Sequence, residues 1–385
     1  MTNTQNNGLI PVIILALSAF IFNTTEFIPV ALLSDIGTSF GMNNSQTGVM
    51  MTIYAWIVAL LSLPMMLATA KMERKKLLLF VFVLFAISHL VSYLASSFMM
   101  LLISRAMVAI AHAIFWSITA SLVVRLAPKD MQSKALGYLS TGGALAMVLG
   151  LPIGRLLGQW LGWRSSFGII GIISLLVAGL LAYYLPKLPA KNTGDLSSLP
   201  FVIKNKPILM IYLLIVLIVT ANFTTYSYIE PFVITFAQLG GQVATSTLLI
   251  FGVAGVIGSL LFGRYYDKHG LTFIQTALFT IFIALSSFAL LSGQISTWMM
   301  VILIWGIANT GAGLALQIRL LTHASRETDV AMSIFSGIFN IGIGAGAMIG
   351  GLTITHLGLG MIGYVSAAIV LSAIVLFVVT ARKSI

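Results

Sequence analysis

Leu9 to Leu33 reads L-I-P-V-I-I-L-A-L-S-A-F-I-F-N-T-T-E-F-I-P-V-A-L-L. It is apolar almost throughout, with one acid, Glu26, and no Lys or Arg. About 20 predominantly apolar residues are enough for a helix to cross a bilayer, and this run exceeds that. Met1 to Gly8 carries no basic residue and no A-x-A cleavage pattern. The run is therefore expected to be a retained first helix and not a removed signal. A carboxylate facing lipid costs several kcal/mol, about 2.5–3.5 for Asp on insertion scales. Glu26 is accordingly expected to face the interior of a bundle.

The rest of the chain extends this pattern. Of its 385 residues, 59% are hydrophobic and 8% charged, and the mean hydropathy is +1.06. Soluble domains carry roughly a quarter charged residues, so so few charges imply a surface that faces lipid. The apolar segments read 9–34, 45–69, 77–97, 99–125, 131–159, 164–185, 207–235, 242–264, 271–292, 297–319, 329–355 and 360–381. Twelve spans at this spacing leave no room for a soluble domain.

Charge placement supports that division. Lys71, Arg74, Lys75, Lys76, Arg125, Lys129, Lys134, Lys187, Lys191, Lys204, Lys206, Arg264, Lys268, Arg319, Arg326, Arg382 and Lys383 all fall on one side of the spans, leaving only Arg105, Arg155 and Arg164. Cytoplasmic loops retain Lys and Arg, so both termini are expected to be cytoplasmic. The net charge of +11 is thereby a membrane signal, and no nucleic-acid partner is expected. With no cysteine, disulfides, thiol catalysis and Cys-ligated metal sites are excluded.

The link from Leu185 to Pro207 is rich in Pro, Gly and Ser. It divides the chain into an expected six-helix bundle over 1–185, a cytoplasmic linker over 186–206 and a second bundle over 207–385. The halves resemble each other. N-T-T-E-F-I-P-V (Asn23 to Val30) matches N-F-T-T-Y-S-Y-I-E-P-F-V (Asn222 to Val233), each placing Thr-Thr, Glu and a nearby Pro inside an apolar helix. Spans five and eleven are both Gly-rich. Repeated halves with corresponding unusual helices point to a transporter whose site lies where the halves meet.

Glu26 and Glu230 are the foremost candidates for proton exchange, because burial makes a carboxyl group exchange protons nearer neutral pH. The plainer reading is a permanently paired structural acid. Pro231 after Glu230 predicts a kink or an early helix end. Arg105 lies at a similar depth to Glu26, so pairing is expected; the alternative is an arginine snorkelling to the headgroups. His112 falls seven residues after Arg105 on the same helical face and is expected to line a pathway. His89 reads as a structural group. Asn23, Asn222 and Asn340 are candidate substrate contacts, although amides in membranes often merely tie helices together. Asn222, Tyr226 and Glu230 at i, i+4 and i+8 would share one face of span seven, offering hydrogen bonds and an aromatic ring to a sugar. Gly142, Gly143, Gly150, Gly154 and Gly158 read as devices for close helix approach. No residue pair has metal-ligand spacing, and no Gly-Lys-Ser/Thr phosphate loop is present. Neither a cofactor nor ATP is expected.

Several stretches resemble the major facilitator superfamily. G-L-P-I-G-R-L-L-G-Q-W-L-G-W-R (Gly150 to Arg164) is similar to the fifth-helix motif of its drug/proton antiporter branch, and G-R-Y-Y-D-K-H-G (Gly263 to Gly270) to the loop between helices eight and nine. Arg105 stands where that branch places a fourth-helix arginine. F-I-F-N-T-T-E-F-I-P-V (Phe20 to Val30), A-H-A-I-F-W-S-I-T-A-S (Ala111 to Ser121), Y-S-Y-I-E-P-F-V and F-S-G-I-F-N-I-G-I-G-A-G-A (Phe335 to Ala347) closely resemble bacterial sugar-efflux transporters. One departure is A-T-A-K-M-E-R-K-K from Ala68, where the family's aspartate would fall near Ala70 and its glycines are absent.

The resemblance implies an all-α fold of two six-helix halves in the bacterial inner membrane. It implies proton-coupled efflux of sugars by alternating access, and a monomer. Gly150, Pro152 and Asp267 are the expected gating residues; by the two-fold relation of the halves, Asp267 is expected to approach the start of span five, near Asp130 to Lys134. Two alternatives stay open, a multidrug/proton antiporter with broader hydrophobic substrates and a substrate-gated channel. A membrane enzyme would need a polar catalytic cluster near one face, and the sequence offers none.

Overall fold

The computed structural model describes residues 2–69, 71–128, 132–189, 200, 204–324 and 328–381. Among them are twelve helices long and apolar enough to span a membrane. Spans one to six are Leu9–Ala31, Asn44–Met65, Arg74–Tyr93, Phe98–Thr119, Gly137–Leu161 and Trp163–Tyr184. Spans seven to twelve are Lys206–Tyr226, Gly241–Tyr266, Lys268–Ser286, Ile295–His323, Ile334–Leu357 and Leu359–Val379. All-helical spans follow from the solvent, because lipid cannot satisfy backbone N–H and C=O groups. Large apolar side chains face outward, such as Leu60, Trp160 and Leu290, each more than 70% exposed.

Local signals set the helix ends. Glu73 accepts from the Lys75 and Lys76 N–H groups at 3.0 Å each and starts span three. Ser97 caps span four, and Asn205 caps span seven with Pro207 just inside. Gly162, at φ 82°, turns the chain between spans five and six. The next residues are locked there, since Arg164 donates from Nε and Nη2 to Ala95 O at 3.0 and 2.8 Å. Spans eight and nine run on as one helix, Gly241–Ser286, kinked at Gly270 with φ 24°.

The chain forms two compact units, residues 1–35 with 60–193, and residues 36–59 with 194–385. Each contains a helix pair in close glycine-mediated contact. In the first unit, span one lies on span five. A Cβ on Gly142 would come 2.1 Å from Ala16 O, one on Gly150 2.1 Å from Thr24 Oγ1, and one on Gly158 2.3 Å from Leu32 Cδ2. In the second unit, span seven lies on span eleven. A Cβ on Gly346 or Gly350 would come 2.5 Å from the carbonyl oxygen of Thr220 or Thr224. Small residues permit such backbone approach in membranes, where helices gain little from hydrophobic burial against one another.

The last helix of the first unit continues into a docked segment. Leu188 N donates to Glu73 Oε1 at 2.7 Å, and Arg74 N donates to Leu188 O at 2.9 Å. Arg125 Nη2 donates to Pro189 O at 3.0 Å.

Span seven carries the expected proline effect. Its helix ends at Tyr226, Tyr228 leaves helical geometry at φ −120° and ψ 18°, and a short turn resumes over Ile229–Pro231. Pro231 has no N–H and its ring crowds the carbonyl four residues back, which is that of Ser227. The break falls there. Glu230 lies beyond it, so the i, i+4, i+8 rule carries only Asn222 and Tyr226 on one helical face.

Candidate functional site

In the first unit, the polar residues gather around the same kind of proline. Pro29 lies inside the first helix and cannot donate to Thr25 O. Arg105, on span four, fills the gap. Its Nη1 donates to Thr25 O at 3.0 Å and its Nη2 to Glu26 O at 3.4 Å. Arg105 is 1% exposed, so its side chain points into the unit and not toward the headgroups. It meets Glu26 at the main chain, a contact that residue spacing alone does not specify.

The Glu26 side chain is largely buried, and its Oε2 stands 3.7 Å from His112 Nε2, one helical stretch along span four from Arg105. That approach is an ion pair only when the imidazole is protonated. His112 thus sits beside the acid. His89, on span three, also joins the group through Thr25, with its Nε2 3.2 Å from Thr25 Oγ1. Asn23 donates from Nδ2 to Gly143 O at 3.3 Å, tying span one to span five. The floor of the cluster is aromatic, with Phe22 stacked on Phe115 at 4.1 Å and close to Phe85 at 4.2 Å.

In the second unit, the stripe on span seven faces an aromatic cluster. Tyr226 lies 4.7 Å from Phe251 and 6.3 Å from Trp305, ring centre to ring centre, and Phe251 lies 4.8 Å from Trp305. Asn222, Tyr226 and Trp305 are buried. Asn222 Oδ1, Tyr226 Oη and Trp305 Nε1 have no hydrogen-bond partner among the described residues. Buried polar atoms are normally paired, so three orphans around one aromatic wall offer donors and an acceptor to a ligand. Trp305 appears in the sequence only as one aromatic among many; its unmet N–H is a structural fact. Glu230 is 1% exposed, just past the helix break. Asn340, on span eleven, donates from Nδ2 to Ser336 O at 3.0 Å, and its Oδ1 has no partner among the described residues.

The residues named for gating fall in three settings. Gly150 packs on Thr24. Pro152 is buried in the turn after a widened π-helical stretch, Ala146–Gly150. Asp267 is helical, but its side chain lies outside the described ones, as do Ala70 and residues 129–131. Among the described residues, no group of three or more His, Cys, Asp or Glu has a metal-holding arrangement.

Residues 15–329 match the family model of the Major Facilitator Superfamily. The chain is 52% identical over 372 residues to a protein of Helicobacter acinonychis (strain Sheeba) named "Probable sugar efflux transporter", covering 96% of this chain and 95% of that one. It is 49% identical to one of the same name from Pasteurella multocida (strain Pm70), covering 97% and 92%. Among solved structures it is similar to a bacterial homolog of the human lysosomal transporter Spinster, in an inward-facing and unoccupied conformation. There the TM-score is 0.81 at 16% identity, over 100% of this chain and 98% of that one. The fold, the motifs and these matches agree: the chain is a multi-pass membrane transporter, not an enzyme, and belongs to the Major Facilitator Superfamily.

Proposed function

We propose that the protein exports sugars or sugar-like small molecules across the bacterial inner membrane in exchange for protons, alternating between outward- and inward-facing states. The observation that carries the sugar reading is the trio of buried polar atoms on Asn222, Tyr226 and Trp305, without hydrogen-bond partners among the described residues, beside the tilted and edge-on rings of one aromatic cluster. Sugars present hydroxyls to such groups and an apolar ring face to aromatics. The names of the similar Helicobacter and Pasteurella proteins support the same substrate class.

The proton reading rests on Glu26. It is an acid inside a spanning helix, flanked by Arg105 and His112. Intramembrane carboxylates of this kind mark ion and proton pathways. Glu230 occupies the related place in the second half and is the alternative carrier. The placement of seventeen of twenty basic residues on one side supports cytoplasmic termini. The test is uptake of a labelled sugar panel into proteoliposomes under an imposed pH gradient. Accumulation that follows both hydroxyl stereochemistry and the gradient is expected. Uptake that tracks only lipophilicity would favour a multidrug substrate, and uptake indifferent to the gradient would defeat proton coupling.

A further inference from the structure

His89 is fully buried in span three. Its surroundings leave little freedom. Nδ1 lies 2.7 Å from Phe85 O, one turn back on its own helix. A carbonyl oxygen only accepts, so Nδ1 carries the proton. In the neutral ring Nε2 is then the acceptor, and Thr25 Oγ1, at 3.2 Å, donates to it. The Phe85 ring, 4.3 Å away centre to centre, limits rotation of the imidazole. Gly171 on span six lets the ring's backbone approach, since a Cβ there would come 3.0 Å from His89 Cβ.

Thr25 is the residue through which this anchor reaches the site. Its carbonyl is the one that Pro29 leaves without a helical donor, and Arg105 Nη1 holds it at 3.0 Å. Its neighbour in the chain is Glu26, whose carboxylate faces His112 at 3.7 Å. A proline-weakened turn is free to shift unless side chains fix it. Here span three holds the Thr25 hydroxyl and span four holds its carbonyl, so the residue is gripped from two helices at once.

We propose that His89 is a positioning residue for Glu26, fixing the turn that presents the carboxylate to His112 by accepting from the Thr25 hydroxyl. The functional weight of that role rests on the reading of Glu26 as the proton carrier. The geometric claim stands by itself. Thr25→Val keeps the shape and removes the donor, whereas Thr25→Ser keeps it. His89→Leu removes the acceptor, whereas His89→Gln retains one on a side chain of similar reach.

The experiment is infrared spectroscopy of the reconstituted protein, with the Glu26 carboxyl band identified by its loss in Glu26→Gln, alongside two transport assays on the same vesicles. Thr25→Val and His89→Leu are expected to shift the band alike. Their combination is expected to shift it no further, and Thr25→Ser and His89→Gln to leave it where the wild type has it. Sugar accumulation driven by the pH gradient should fall several-fold in Thr25→Val and His89→Leu while sugar exchange persists. A role confined to packing would lower both activities together and leave the band in place. A band unmoved by Thr25→Val, or shifts that add in the double variant, would overturn the proposal. If the band responds as stated while wild-type transport ignores the gradient, the proton-coupling reading fails and the positioning role stands.

Discussion

Replacing Pro29 with alanine returns a backbone N–H to span one, four residues after Thr25. That N–H would compete for Thr25 O, which Arg105 Nη1 now reaches at 3.0 Å. In the wild type, Arg105→Met strips the carbonyl of this donor in a turn where the helix supplies none. An unsatisfied buried acceptor costs about 1–3 kcal/mol. In the Pro29→Ala background the restored helical bond satisfies it. Arg105→Met should therefore cost about 1–2 kcal/mol less there than in the wild type. The other consequences of losing the guanidinium, including its 3.4 Å approach to Glu26 O, are common to both backgrounds and cancel in a double-mutant cycle. Reversible unfolding of the four proteins in mixed micelles measures the cycle. Costs that add to within about 0.5 kcal/mol would refute the idea that Arg105 replaces a proline-deleted bond.

Three further outcomes are expected. Gly142→Ala forces a Cβ to 2.1 Å from Ala16 O, whereas Gly137→Ala on the same span meets nothing within 4 Å. The first should destabilise by about 1–3 kcal/mol and the second should be neutral or slightly stabilising, as thermal unfolding in detergent would show. Tyr226→Phe and Trp305→Phe each remove a polar atom that has no partner among the described residues. Tyr226→Phe should leave folding intact or improve it, whereas Trp305→Phe also leaves a cavity in the aromatic cluster and should lower stability; both should weaken sugar binding about tenfold, the equivalent of 1.4 kcal/mol, and titration calorimetry separates binding from folding. Burial pushes the Glu73 carboxyl up, but N–H donation from Leu188, Lys75 and Lys76 and the Lys76 charge outweigh it and hold the group below its ordinary 4.5. A depressed carboxyl contributes stability above its unfolded value and loses it as pH falls through the folded one. A spin label at position 188 should therefore stay ordered at neutral pH and loosen only below about 4.5, with no such pH dependence in Glu73→Gln.

The fold was largely legible because lipid imposes a simple rule. Apolar runs of spanning length and one-sided basic residues locate helices without knowledge of their packing; most span bounds moved by six residues or fewer, and the end of span seven by nine, from 235 to Tyr226. The glycines of spans five and eleven were also readable as close-approach devices, since few other uses exist for them inside a membrane helix. The break in span seven was legible in kind from Pro231, but its place at Ser227 and Tyr228 depends on the carbonyl four residues back. Side-chain roles were harder to read. Arg105 and Glu26 could be paired by depth, yet nothing in their spacing says that the contact is to main-chain carbonyls. His89 looked like an ordinary buried histidine because its partner, Thr25, lies 64 positions away on another helix. Trp305 was hidden among many aromatics, and only the absence of a partner for its N–H sets it apart.

The central claim is that sugar leaves in exchange for protons through Glu26. Its most direct test loads proteoliposomes with sugar and a pH-sensitive dye at equal pH on both sides, then dilutes them into sugar-free buffer. Sugar running out should pull protons in, acidifying the lumen, and Glu26→Gln should let sugar exchange without any proton movement. Sugar efflux with no change in internal pH, or protons leaving together with sugar, would contradict the account.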